Sequence, residues 1–296
     1  MISIAMATYN GEKYIKEQID SILNQTIQDF EIVICDDCSK DETFRILQEY
    51  AQNDKRFRIY QNENNLGFKK NFEKAITLCK GEYIALSDQD DIWLPNHLSV
   101  LINVLGNKFL ACGNAILINS KGEHAGKLLA YQESLDWVPN NDIKKAMSIM
   151  LFRNPYQGAA MLFRKELVTI ACPIPSTTGY HDKWLAMVAC MTGGMNYSFT
   201  PILKYRRTPK SVTDMRIKRK SKIDSLRYRI IYDDRIGMAQ SIIEKIPMIG
   251  TSERSFLDNM IKICGRNSNP KGRWQNLLFF LRHYKTIYSC DYMHWI

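Results

Sequence analysis

Within residues 1–90, short apolar runs alternate with stretches whose apolar residues recur at helical spacing, and that alternation constrains the fold more than any other feature. Ile2–Thr8 and residues 30–35, 57–60 and 83–86 read as strands. Between the first two, Ile15, Ile19, Ile22 and Leu23 fall on one helical face. Ser39-Lys40-Asp41-Glu42 fits a capping box opening a helix through about residue 52. Asn64-Asn65-Leu66-Gly67 is turn chemistry leading into a helix over 68–79. Strands alternating with helices of this length predict an α/β fold: a mostly parallel sheet with right-handed crossovers and helices on both faces.

Ligands of such sheets bind beyond the carboxyl ends of the strands, and three of those ends are polar: Thr8-Tyr9-Asn10, Asp36-Asp37 and Asp88-Gln89-Asp90-Asp91. Three carboxylates within four residues repel one another, so the last cluster suits open solvent or the company of a cation and a polyphosphate. Acids gathered on the binding side of successive strands favour the cation-dependent nucleotide site over the solvated turn. Neither a G-x-G-x-x-G after the first strand nor a G-x-x-x-x-G-K-[ST] is present, which removes the usual dinucleotide and P-loop signatures. Carboxylates suit Mg2+ or Mn2+, whose charge holds a diphosphate.

Several stretches in order carry a resemblance: Thr8-Tyr9-Asn10-Gly11, Ser21-Ile22-Leu23-Asn24-Gln25-Thr26, residues 30–39 through Asp36-Asp37-Cys38-Ser39, Asn65-Leu66-Gly67, and Gly81-Glu82-Tyr83-Ile84 into Asp88-Gln89-Asp90-Asp91. Over about residues 1–110 the chain resembles the family 2 glycosyltransferases with the GT-A fold, and the wording Ser87-Asp88-Gln89-Asp90-Asp91-Ile92-Trp93 is most similar to their bacterial rhamnosyltransferase-like branch. The resemblance implies that Thr8, Tyr9 and Asn10 border a nucleoside and that Asp37 accepts the imide N–H of uracil or thymine, a donor that cytosine lacks. It implies a D-x-D motif in which Asp90 ligates the metal, while Asp88 reaches the ribose or a metal-bound water. Gln89 is expected near the nucleotide, and Asn65, Lys70 and Asn71 either near it or on an exposed helix start.

Beyond residue 95 the pattern predicts a helix over 95–105, a strand over 111–119, a helix over 142–151 and a small-residue strand over 156–164. By resemblance that last strand lies beside the acceptor cleft, with Gly158 letting a sugar approach the backbone. After the Pro-, Thr- and Ser-rich loop 173–179, Tyr180-His181-Asp182-Lys183-Trp184 opens an apolar helix. An Asp at a helix start serves as a cap, yet an inverting transfer also needs a carboxylate to take the acceptor's proton. The stretch resembles the family's H-D or E-D motif, which implies Asp182 as general base and His181 orienting it or bordering the acceptor; Trp184 is read as either a core residue or an acceptor contact. Strands 196–200 and 202–205 lead into Tyr205-Arg206-Arg207-Thr208, where Arg206 and Arg207 are placed to neutralise the leaving diphosphate. Relatives commonly carry a metal-binding histidine shortly after this Tyr-Arg; here the position holds Thr208.

The net charge of +9 is uneven: residues 204–296 hold 20 Lys and Arg against 8 Asp and Glu. We expect a GT-A-like domain over 1–212, divided near residue 110 into nucleotide-sugar and acceptor halves, and a basic helical region over 213–296, with helices over 223–246, 253–264 and 274–288. Interleaved with Trp274, Phe279, Phe280, Tyr284, Tyr288 and Trp295, that charge suits peripheral contact with an anionic membrane, and no nucleic-acid motif accompanies it. No cleavable leader is read at residues 1–8, and the longest apolar run, 277–281, is far below the roughly 20 residues of a membrane span. Eight cysteines scattered through apolar runs suit a reducing, cytoplasmic compartment, and Cys35-x-x-Cys38 lacks the partners of a zinc site.

The expectation is therefore a metal-dependent inverting glycosyltransferase using a UDP- or dTDP-linked sugar donor and a glycan or lipid-linked acceptor. A nucleotidyltransferase and a non-catalytic basic binding module are the alternatives.

Overall fold

Ile2–Thr8 is apolar or small at almost every position, which leaves no face for solvent and sends the strand to the middle of the sheet. In the computed structural model, which describes residues 1–129, 143–152, 154–208 and 235–264, this strand (β1) lies between β2 (Phe30–Asp36) and β4 (Tyr83–Ser87), parallel to both. β3 (Phe57–Gln61) extends the parallel half beyond β2. The crossovers are α1 (Ile15–Leu23), α2 (Thr43–Asn53) and α3 (Phe68–Leu78). Ile15, Ile19 and Ile22 of α1 are fully buried, as their spacing requires.

The capping box at the start of α2 does not form. Ser39 Oγ donates to Asp36 and accepts the Asn10 N–H, and the helix begins only at Thr43, whose N–H goes to Asp41 Oδ1 (3.0 Å). Competition for Ser39 by the β1 and β2 ends overrides the local motif.

The second half completes a mixed sheet. After the two-residue β5 (Ile92–Trp93) and α4 (His97–Leu105) come β6 (Leu110–Ile118), β7 (His124–Leu128), α5 (Ile143–Phe152), β8 (Met161–Arg164), α6 (Glu166–Ala171), α7 (His181–Thr192) and β9 (Met195–Arg206). The strand order is β3-β2-β1-β4-β8-β6-β9-β5, with β7 paired to β6. β8 runs antiparallel to both neighbours, so β4, β6 and β9 point the same way.

Two expected features differ. Residues 156–164 are not one strand, because Gly158–Ala160 forms a 3-10 turn first. The two short strands after residue 195 are one long β9, whose register against β6 shifts around Asn114, opposite Pro201; Pro cannot donate to a ladder and is accommodated at such irregularities.

Of the basic region, the described residues include α8 (Arg235–Lys245) and α9 (Thr251–Cys264). Met238, Ala239, Ile242, Leu257 and Met260 are fully buried in the same core as the sheet. The expected basic cluster at 216–220 and the helix at 274–288 lie outside the described residues. No helix among the described residues is long and apolar enough to cross a membrane.

Candidate active site

The carboxyl ends of β2, β1 and β4 are stitched together before any ligand arrives. Asp37 N–H bonds to Thr8 O (2.8 Å), and the Thr8 hydroxyl, almost fully buried, donates to Asp36 Oδ1 (3.0 Å). Asn10 adopts a left-handed φ of 48° and accepts Lys40 N–H at Oδ1 (2.8 Å). Gln89 closes the opposite side: its Oε1 accepts Tyr9 N–H (2.8 Å) and its Nε2 donates to Tyr9 O (3.0 Å). A Cβ at Gly11 would lie 2.3 Å from Gln89 Oε1, so only glycine admits this brace. Thr8 and Gln89, expected to contact nucleoside, have these side-chain groups engaged in the scaffold, whereas Tyr9 is 46% exposed at the rim.

Asp37 is nearly buried and oriented by three donors: Asn62 Nδ2 (2.8 Å) and Leu66 N–H (2.7 Å) on Oδ1, and Gly67 N–H (2.8 Å) on Oδ2. Asn71 stands behind it, accepting Asn62 Nδ2 (2.8 Å) and donating to Cys35 O (2.7 Å). Oδ2 keeps acceptor capacity for one further donor. Asn65, by contrast, is exposed and accepts Gly67 N–H, while Lys70 is exposed and pairs with Glu73 (3.0 Å) on the surface of α3. Lys70 thus takes the exposed helix-start position that was the other expectation for it.

The acidic turn after β4 is held from beneath by polar residues of α1 and of the turn that follows it. Gln18 donates to Asp91 O (2.7 Å) and accepts from Ser87 Oγ (2.8 Å) and Trp93 Nε1 (3.3 Å), Ser21 Oγ accepts Trp93 N–H (2.9 Å), and Gln25 binds Leu94 O (2.8 Å) and Leu98 N–H (3.1 Å). His97 stacks on Trp93 at 3.8 Å, with Nδ1 3.1 Å from Ile202 O; burial pushes its pKa down to about 3 and keeps it neutral. These groups give the Ser21-to-Thr26 stretch its purpose. Their signal in the sequence was polar residues recurring at helical spacing on an otherwise apolar face.

Arg206 corrects an expectation. Its guanidinium is 3% exposed and donates to Asp90 O (2.7 Å) and Glu17 (2.5 Å), lies 4.5 Å from the Tyr14 ring centre, and its N–H binds Asp91 Oδ1 (2.8 Å). It supports the acidic turn from behind instead of facing a diphosphate. Arg207 N–H pairs with Ile118 O (2.9 Å), at the end of β6.

With Asp91 turned inward, Asp88 and Asp90 remain as the half-buried carboxylates of the turn. Burial, then the neighbouring Asp90 and Asp182, pushes the Asp88 carboxyl up from 3.8 to about 7. Asp90 is also raised, by burial, against the lowering effect of Arg206. The folded protein therefore holds the Asp88 proton more tightly than the unfolded chain does, and metal-free stability falls as pH rises from about 4 to about 7. Asp88→Asn is expected to raise the melting temperature of metal-free protein near pH ~7.5 and to change it little near pH ~4. An unchanged melting temperature at the higher pH counts against this electrostatic strain.

Asp182, in the first turn of α7, is 7% exposed. It accepts Asn154 Nδ2 (3.0 Å) and Lys183 N–H (2.7 Å) on Oδ1 and Gly158 N–H (3.2 Å) on Oδ2. The helix N-terminus favours its charge. A Cβ at Gly158 would lie 3.2 Å from His181 Nε2 and 3.3 Å from Asp182 Cβ, so the space over Gly158 belongs to this chain's own side chains and not to a sugar. His181 is buried, stacks on Phe72 at 4.1 Å and has no hydrogen-bond partner for either ring nitrogen among the described residues; burial lowers its pKa. Trp184 is fully buried and its Nε1 donates to Ala171 O (2.9 Å), which makes it a core residue and not an acceptor platform. Asn154 and Phe72 had no sequence signal, since their roles depend on packing between distant segments.

The arrangement has a paired carboxylate turn (Asp88 and Asp90), a third carboxylate, Asp182, whose charge acts on Asp88, and a fourth, Asp37, two strands away at the same end of the sheet. The O-antigen biosynthesis glycosyltransferase WbnJ of Escherichia coli is 36% identical over 174 residues, covering 57% of this chain and 63% of WbnJ. At 15% identity, the S. aureus TarS 1–349 structure in complex with UDP-GlcNAc superposes with a TM-score of 0.62, covering 97% of this chain and 81% of that one. The mannosyltransferase PcManGT of Pyrobaculum calidifontis, in complex with GDP-Man and Mn2+, gives 0.53 at 16% identity, covering 98% and 76%. These likenesses place the fold among GT-A-like proteins. The chain spans 38% to 63% of the length of the first curated relatives it matches. The glycosyl transferase family 2 model matches residues 3–185, well over half the chain, and the protein belongs to that family.

Proposed function

We propose that the chain is a metal-dependent inverting glycosyltransferase that moves a sugar from a UDP- or dTDP-linked donor to a hydroxyl of a glycan or lipid-linked acceptor in surface polysaccharide synthesis. The observation behind this reading is that Asp88 and Asp90 lie half-buried in the turn after β4, with Asp182, held by Gly158 N–H (3.2 Å), near enough for its charge to raise the Asp88 carboxyl. Family membership and a relative named for O-antigen biosynthesis support it.

The oxygen-only carboxylates fit Mg2+ or Mn2+, and PcManGT is described with Mn2+. Among the described residues no three His, Cys, Asp or Glu side chains form a metal site. Asp90 and Asp88 would therefore hold the ion together with diphosphate oxygens and water, with Thr208 in place of the usual histidine. The bound ion would offset the charge of the departing diphosphate. Asp37 would accept the imide N–H of uracil or thymine at Oδ2, with Tyr9 and Asn10 at the rim of the nucleoside site, and Arg207 is the remaining arginine candidate for the diphosphate.

In the transfer, Asp182 takes the proton of the acceptor hydroxyl as its oxygen bonds to the anomeric carbon. The bond from that carbon to the β-phosphate oxygen breaks, releasing nucleoside diphosphate. The tail's charge, largely outside the described residues, would bring the enzyme to anionic lipid beside a lipid-carried acceptor.

A panel of UDP-hexoses and dTDP-rhamnose, incubated with Mn2+ and candidate acceptors, tests the reading. Free UDP or dTDP together with an inverted glycosidic product is expected. Release of pyrophosphate instead would identify nucleotidyl transfer.

A further inference from the structure

Helix α8 carries a glycine, Gly237, near its start, where alanine would favour the helix. The space is needed by another segment: a Cβ on Gly237 would lie 2.5 Å from Thr177 Cβ and 3.0 Å from its Cγ2. Thr177 Oγ1 also lies 3.3 Å from Gly237 O and 3.0 Å from Ser241 Oγ, within hydrogen-bond reach of both. Since Met238, Ala239 and Ile242 are fully buried, α8 cannot drift away from this contact cheaply.

Thr177 belongs to the loop 173–179 that delivers α7 and Asp182. The same loop is gripped from the nucleotide side. Lys69, in the first turn of α3, donates to Pro175 O (3.2 Å), Ser176 O (2.9 Å) and Thr178 O (2.7 Å), matching the three donors of an ammonium group. Glu73 accepts Ile174 N–H (3.2 Å). The loop is thus clamped between α3 and α8.

We infer that α8, through the fit of Thr177 against Gly237, is a positioning element for Asp182, so that turnover depends on the helical region C-terminal to the sheet. The inference rests on Asp182 as the base. A shift of the loop displaces the carboxylate from the acceptor hydroxyl, and misplacement by about 1 Å can cost roughly 100-fold in rate. The nucleotide site, built on β1, β2 and β4, stays as it was.

Gly237→Ala tests this without endangering the helix, because alanine strengthens α8 while pushing on Thr177. The expected result is at least a tenfold fall in kcat, with unchanged affinity for UDP in Mn2+, a protein that still melts in one cooperative transition and faster hydrogen exchange across 173–182. Adding Thr177→Gly, which removes the opposing Cβ, restores most of kcat. A folded Gly237→Ala protein whose kcat stays within twofold of wild type overturns the inference. Asp182→Asn in the same assay separates the two claims: an active Asp182→Asn removes the base itself, whereas an inactive Asp182→Asn beside a fully active Gly237→Ala removes only the positioning role.

Discussion

Asp182→Asn is expected to lower kcat by about 100- to 10,000-fold, the usual range for loss of a general base, while leaving nucleotide affinity within error of wild type. The amide is isosteric, so the cost to the fold is confined to the donors that grip the carboxylate. Asn154 Nδ2, Lys183 N–H and Gly158 N–H all point at it. An asparagine NH2 cannot accept from them, and one hydrogen bond is lost, worth about 1 kcal/mol. A melting curve and a UDP titration in Mn2+ show whether the protein stays folded and competent. Turnover near the wild-type rate in such a protein would leave the crevice without its base. Helix capping would then suffice as the reason for an aspartate at this position.

Asp90→Ala is expected to abolish metal-dependent transfer, and excess Mn2+ should not restore it. The turn itself should survive, because Arg206 holds Asp90 through its backbone carbonyl and Gln18 holds Asp91 in the same way. Removing one of two carboxylates that repel each other also relieves the metal-free protein. Lost activity with an equal or higher melting temperature is therefore the signature of a ligand. Lost activity with a collapsed melting temperature would instead make Asp90 structural. Measuring both quantities on one preparation decides between them.

The N-terminal half was legible because its signals are local. Apolar runs wrote β1 to β4 to within a residue or so, and Ile15, Ile19 and Ile22 wrote the buried face of α1. The strand ends then followed, with Asp37 and Asp90 on the same sheet edge as expected. What was not legible depends on partners far away in the chain. β5 is two residues long, too short for any periodicity, and exists only because Ile92 and Trp93 pair with Lys204 and Leu203.

The same distinction runs through the site. An arginine after a strand and a glycine before one carry no mark of direction. Arg206 turned out to brace the back of the acidic turn, and Gly158 to make room for His181 and Asp182. Sequence identified the acidic groups as a cluster but could not say that Asp91 turns inward to Arg206 N–H while Asp88 and Asp90 stay half-buried. Of the scaffold residues, Gln18 and Asn62 were visible only as polar positions among buried ones. Their hydrogen bonds explain why such interruptions are tolerated.

Everything in the mechanism hangs on a divalent ion being drawn to the tip of β4 by a sugar nucleotide. Electron paramagnetic resonance of Mn2+ reads this directly, since the sharp signal of the free ion diminishes when the ion is bound. Adding UDP and wild-type protein together should remove far more free Mn2+ than UDP alone, and Asp90→Ala protein should not. An equal loss of free signal with the wild-type and Asp90→Ala proteins would contradict the assignment of the acidic turn as the metal site.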